Sequence, residues 1–250
     1  MKKLLFIIGL WRLCFTDILA QNTLASIDQY NVIWNSPSQN AGESMPCGGG
    51  DIGLNVWVEK GDIYFYIARS GTFDHNNAVL KLGRMRLTVS PNVFENPSTF
   101  TQVLRLSSGD VVIEGSNGKI KTQVKIWVDV FRPNIYVEVN SNQAITAKAQ
   151  YESWRYQDRL MSKGKENNAN SYKWAPPHQV VTRKDIIRFA PKGILFYHNN
   201  GDEISAFDVV VKQQGLDSLK KQFYNPLKNL VFGGIISGNN WQQDGTAQGK

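Results

Sequence analysis

Residues able to do chemistry gather in three places along this 250-residue chain. The first is Met45-Pro46-Cys47-Gly48-Gly49-Gly50-Asp51-Ile52-Gly53. Consecutive glycines allow backbone conformations closed to other residues and let a partner come close, so Gly48, Gly49, Gly50 and Asp51 are candidate ligand or domain-interface residues. A phosphate-binding loop would need a helix behind it carrying Lys and Ser or Thr. Ile52-Gly53-Leu54-Asn55-Val56-Trp57-Val58 follows instead and reads as a strand, so a nucleotide site is excluded here. A nucleophilic Cys47 would need a basic partner. The only imidazoles are His75, His178 and His198, and no local signature ties one to it, so a packed thiol in a Gly-rich turn is expected.

The second place is Arg69-Ser70-Gly71-Thr72-Phe73-Asp74-His75-Asn76-Asn77, directly after an expected strand at Tyr64–Ala68. Its acid, imidazole and amides suit sugar hydroxyls or a metal, which makes Arg69, Asp74, His75 and Asn76 candidates. A polar loop capping a strand end accounts for the same residues. No spaced ligand pair of the His-x-x-x-His kind is present, so neither a metal nor another cofactor is assigned.

The third is Tyr151-Glu152-Ser153-Trp154-Arg155-Tyr156. Aromatic faces stack on sugar rings, and Arg or Glu bind hydroxyls, so Glu152, Trp154 and Arg155 are candidates; core aromatics would explain the string equally well. Glycoside hydrolysis normally takes two carboxyl groups flanking the bond. Glu43, Asp51, Asp74, Glu152 and Asp158 are available, but spacing shows no two of them converging. The nucleophile elbow G-x-S-x-G is absent, and no catalytic residue is assigned.

The elements that must position these residues read as strands. Ile120, Thr122, Val124, Ile126, Val128 and Val130 alternate with Lys121, Gln123, Lys125 and Asp129, the period of a half-buried antiparallel strand. Ile135, Val137 and Val139 repeat the pattern, as do Met85, Leu87 and Val89. Asn117-Gly118 predicts a type I′ hairpin turn. Gly61-Asp62, Ser108-Gly109-Asp110, Arg132-Pro133-Asn134 and Asn200-Gly201-Asp202 mark further corners. Strands are expected near residues 31–34, 52–58, 62–68, 82–89, 100–106, 110–115, 119–130, 134–140, 145–152, 179–183, 194–198 and 204–211. Helical spacing is confined to Leu216, Leu219 and Phe223, stopped by Asn225-Pro226. A parallel βαβ architecture lacks its crossover helices. The expectation is all-β: one large antiparallel β-sandwich with one or two short helices, interrupted by a long polar loop over residues 155–178.

Composition agrees with a sizeable core: 42% hydrophobic, 11% aromatic and 20% charged residues exclude disordered and fibrous classes. Met1-Lys2-Lys3, the apolar run Leu4–Trp11 and Ile18-Leu19-Ala20 have the layout of a cleaved secretory signal over residues 1–20, although Arg12 and Asp17 are irregular within it. The mature chain, residues 21–250, would then be periplasmic or secreted and would keep one cysteine, Cys47. Its net charge falls from +7 to +5, spread rather than clustered, so nucleic acid is not an expected partner. Nothing beyond the leader approaches a membrane-spanning length, so no membrane partner is expected.

Trp34-Asn35-Ser36-Pro37 followed by Glu43–Gly53 resembles the opening of the N-terminal β-domain of glycoside hydrolase family 95. A closer resemblance is to an uncharacterised N-terminal domain family of secreted, glycoside-hydrolase-like proteins. It is carried by the Gly-rich string, the Tyr64–Asn77 region, Glu152-Ser153-Trp154-Arg155 and Asn229-Leu230-Val231-Phe232-Gly233-Gly234, and it covers roughly residues 30–240. The resemblance implies a β-supersandwich preceding an (α/α)6 barrel. The family's catalytic carboxyl groups lie on that barrel, so none carries over, and the turn at Gly48–Asp51 and the loop after Ala68 would face it. Where the family has Asn-Glu-Asp, this chain has Ile67-Ala68-Arg69-Ser70-Gly71. The expectation is an accessory β-domain of an exported carbohydrate-active protein, with a downstream barrel and an oligo- or polysaccharide as partners. A free-standing glycan-binding module and a non-catalytic structural surface protein are the alternatives.

Overall fold

The computed structural model describes residues 27–161, 170–172, 178–191 and 193–246. The expected leader at 1–20 and much of the loop at 155–178 lie outside them. Fifteen strands run through the described residues: β1 Val32–Trp34, β2 Met45–Gly49, β3 Ile52–Glu59, β4 Asp62–Arg69, β5 Gly83–Ser90, β6 Thr99–Arg105, β7 Asp110–Ser116, β8 Lys121–Val128, β9 Ile135–Ser141, β10 Thr146–Glu152, β11 Arg159–Leu160, β12 Val181–Thr182, β13 Ile186–Ala190, β14 Gly193–Asn199 and β15 Val231–Ile236. Among the described residues an α-helix, α1, spans Ala206–Gln213, and 3-10 turns cover Ala41–Glu43 and Asp217–Gln222. The protein is all-β, with antiparallel sheets packed as a sandwich.

Two five-stranded sheets have the orders β1-β6-β7-β8-β9 and β10-β5-β4-β3-β2, beside a pair β11-β12 and a three-stranded sheet β13-β14-β15. The chain forms two compact units. The first comprises residues up to Phe65 together with Arg86–Ala149; the second comprises Tyr66–Met85 and residues from Gln150 onward.

Alternation builds the first unit. Val124, Ile126 and Val128 turn inward from β8 beside Val111 and Ile113 of the neighbouring β7, and Leu54, Val56 and Val58 share one face of β3; all are buried. Burying each such side chain is worth about 1.5–3 kcal/mol relative to exposure. Gln102, fully buried, donates its Nε2 to the Val56 carbonyl at 3.2 Å.

Two turns depart from expectation. The I′ geometry falls at Lys60-Gly61, where both φ values are positive (50° and 83°), joining β3 to β4. At Asn117-Gly118 only Gly118 has positive φ. There the β7–β8 ladder closes at Ser116 opposite Lys121, and Asn117 Oδ1 accepts the Lys119 and Ile120 N–H groups, making a longer, side-chain-braced loop.

In the second unit a predicted strand is a helix. Residues 204–211 carry the β-branched run Val209-Val210-Val211, yet α1 begins at Ala206 because the Asp208 carboxylate reaches back to the N–H and hydroxyl of Ser205, each at 2.7 Å. That anchor at the first turn outweighs β-branched propensity, which is worth only tenths of a kcal/mol per residue. The helical spacing at Leu216 and Leu219 becomes a 3-10 turn.

Candidate functional site

The Tyr151–Tyr156 string leaves the end of β10 in the second unit, and its side chains part ways there. Glu152 is engaged by Arg84 of β5, whose Nε donates to its Oε2 at 2.8 Å. Tyr151 lies over Gly83, whose φ of +136° and missing Cβ admit the ring; a Cβ there would stand 2.5 Å from it. The ring stacks on Phe196 with centroids 4.1 Å apart, and its hydroxyl donates to the Leu82 carbonyl. Burial pushes that hydroxyl well above the usual tyrosine pKa.

Beyond Glu152, Arg155 turns inward and Trp154 outward: Arg155 is 5% exposed and Trp154 50%. Arg155 forks onto Asp185, Nε to Oδ1 at 3.0 Å and an Nη to Oδ2 at 2.9 Å. Ser153 Oγ donates to Asp185 Oδ2 at 2.6 Å, and His198 Nδ1 lies 3.0 Å from Oδ1. The sheet register explains the last contact. Ile186 pairs with Tyr197, so Asp185, one residue before β13, falls opposite His198 of β14, and Phe232 of β15 lies on its other side. The His198 ring stacks on Phe232 at 5.2 Å. Burial alone would raise the Asp185 pKa; the hydrogen bonds from His198 and Ser153 and the Arg155 charge outweigh it and hold the carboxyl below its usual value. With Asp185 accepting at Nδ1, His198 Nε2 is left without a protein partner among the described residues.

Trp154 forms a surface feature. Tyr66 of β4 meets its indole edge-on, centroids 6.1 Å apart at 81°. Lys81 Nζ lies 4.3 Å from the centre of the Tyr66 ring. The Arg155 guanidinium lies 5.5 Å from the Trp154 ring and also donates to the Lys81 carbonyl at 2.7 Å. One buried arginine, fixed by Asp185, therefore braces both the indole and the backbone of the lysine.

The Arg69–Asn77 run folds inward. Asp74 Oδ1 accepts the N–H groups of Asn76 (2.9 Å) and Ala78 (2.8 Å), and Oδ2 accepts Asn76 Nδ2 at 3.2 Å, so this carboxylate organises its own loop. Asn76 also donates to the Val181 carbonyl at 2.9 Å, and the His75 carbonyl accepts the Ala206 N–H at the start of α1. His75 Nε2 lies 3.8 Å from Glu203, which Arg183 bridges to Asp158. Burial lowers the His75 pKa against the pull of Asp74 and Glu203. Asp74, His75 and Asn76 are all buried, while Arg69 is half-buried.

Gly48, Gly49, Gly50 and Asp51 belong to the first unit. Gly48 and Gly49 are the last residues of β2, an edge strand, where Pro46 is tolerated. A Cβ on Gly49 would lie 2.9 Å from the Val128 carbonyl, and Gly50 has φ +57°, so the close partner that the glycines admit includes the chain's own backbone. Cys47 is buried, donates to the Gly109 carbonyl at 3.4 Å, and has its pKa pushed up to about 11 by burial and by Asp110. It is a packed thiol, as expected.

The structure thus brings Glu152, Trp154 and Arg155 together with Ser153, Tyr66, Lys81, Asp185 and His198. The last four were not singled out. Tyr66 carried a signal, being the outward member of the alternation Phe65-Tyr66-Ile67; Asp185 and His198 carried none, because cross-strand register joined them.

A family model described as "Domain of unknown function (DUF5703)" matches residues 33–250. A search of the curated proteins finds no match to the chain.

Proposed function

Since the chain belongs to this family of domains of unknown function, we propose that it is the accessory β-domain of an exported, glycoside-hydrolase-like protein, and that its second unit contributes a sugar-stacking surface. The observation that carries the reading is Trp154: a half-exposed indole, braced from within by Arg155 and edged by Tyr66. An aromatic face held open to solvent by a rigid frame suits the apolar face of a sugar ring, since the ring need not be ordered on binding. The resemblance of the Gly-rich and Glu152–Arg155 strings to N-terminal domains of secreted glycoside-hydrolase-like proteins supports the same reading.

Four carboxyl groups of the second unit support an accessory role over a hydrolytic one. Glu152 is paired with Arg84, Asp158 with Arg183, and Asp74 with its own loop's N–H groups. Asp185 is buried beneath Arg155. A general acid or nucleophile has to reach a glycosidic oxygen or carbon, and these four are turned to structural partners.

Two measurements test the reading. The purified chain is expected to be retained by at least one insoluble polysaccharide, with no release of sugar. The gene is expected to continue past Lys250 into a helical-barrel domain. Retention without such a domain would favour the free-standing binding module; absence of retention across plant, algal and host polysaccharides would sink the sugar-stacking role.

A further inference from the structure

The cation beside the indole is not explained by stacking alone. Lys81 is exposed, its ammonium is held 4.3 Å over the Tyr66 ring, and no carboxylate among the described residues pairs with it. Two other lysines of the second unit meet acids: Lys220 meets Asp208 at 2.7 Å and Lys228 meets Asp202 at 3.3 Å. Glu152 is engaged by Arg84. Asp185 is buried beneath Arg155. The Lys81 backbone is also clamped, because its carbonyl accepts an Arg155 Nη at 2.7 Å while the same guanidinium packs on Trp154.

From this juxtaposition the geometry points to a carboxylated saccharide as the ligand of the Trp154 surface: the sugar ring stacks on Trp154, and a carboxylate on that ring or its neighbour pairs with Lys81. This rests on the sugar-stacking role proposed above and narrows it to acidic glycans such as uronic-acid polymers. A neutral sugar would leave the ammonium with only water and the Tyr66 face. A carboxylate gives it a charge-assisted hydrogen bond at the rim of an aromatic surface, where water is partly displaced. Arg155 holds the indole and the Lys81 backbone on one frame, so that ring and cation are offered together and an acidic sugar is favoured over a neutral one.

The test uses polygalacturonic acid and its highly methyl-esterified form, which keep one backbone and differ in charge. Binding of each to the whole chain is measured for the wild type, Lys81→Gln, Trp154→Ala and, as a control for diffuse charge attraction, Lys119→Gln. The expected result is that the wild type binds the acid form about fivefold or more tightly than the ester. Lys81→Gln abolishes that preference, Trp154→Ala weakens both polymers, and Lys119→Gln changes neither. Equal binding of the two polymers by the wild type, or an equal loss in Lys119→Gln and Lys81→Gln, overturns the inference and leaves the stacking role standing. No binding of either polymer, alongside retention by a neutral polysaccharide, also overturns it. No binding to any glycan overturns both.

Discussion

The two units of this chain differ in how much polar chemistry they bury. The first is an apolar sandwich: Val56, Trp57, Val58, Ile63, Val111, Ile113, Val124 and Ile126 are essentially inaccessible. Its principal buried charge, Asp110, sits at a strand end, paired with Arg105 at 2.6 Å and Lys125 at 3.2 Å. The second unit buries Asp74, His75, Asn76, Arg155, Asp185, His198, Asn200 and Ser205. Apolar burial is non-directional and tolerates substitution by volume, whereas a buried ionic network holds only while every member has its partner. The contrast separates a unit that supplies bulk stability from one whose polar framework positions surface groups.

The strongest way to break that contrast is Asp185→Ala. It strips the partner from a buried guanidinium, a buried imidazole and Ser153 at once, and a loss of about 3–5 kcal/mol is expected in equilibrium denaturation. A loss under about 1 kcal/mol, within the range of an exposed ion pair, would mean the network is not a framework. Ile126→Ala in the other unit is expected to cost about 3 kcal/mol, the scale of a core truncation. It should leave Trp154 able to bind, whereas Asp185→Ala should not, even where the chain is folded.

One group in each unit gives a pH dependence of opposite sign. Asp185 has a folded pKa below its unfolded value, so its contribution is present above the usual carboxylate range and is lost as pH falls through the folded value. Cys47 has the opposite sign. Its folded pKa is raised to about 11, so its contribution is intact below about 9 and is lost as pH rises from 9 to 11. Cys47→Ala is therefore expected to remove part of the alkaline loss of stability and none of the acid loss. An unchanged alkaline profile would show that the thiol does not titrate with unfolding.

The same contrast sets what was legible in the sequence. Strands β5, β8 and β9 showed themselves through alternation, the period of two that a half-buried strand imposes. In the second unit, the partner of Arg155 lies thirty residues downstream and is fixed by sheet register, which no local period encodes. β15 escaped notice because Gly233 and Gly234 break its pattern; a Cβ on Gly234 would stand 2.9 Å from the Phe196 ring, so the glycine serves packing. α1 was hidden by its valines, although Ser205-x-x-Asp208 was there to read as a cap. Among the candidate residues, Trp154 faces solvent and Arg155 braces it, while Asp74, His75 and Asn76 hold a loop in place.

The central claim is that Trp154 is a sugar platform braced by a buried network. It is tested most directly by titrating the wild-type chain and Trp154→Ala with a polysaccharide that retains the wild type, with near-ultraviolet circular dichroism confirming an intact fold in both. The account predicts that affinity falls at least about tenfold in Trp154→Ala, the scale of losing an aromatic anchor. Unchanged affinity in a folded variant would contradict it.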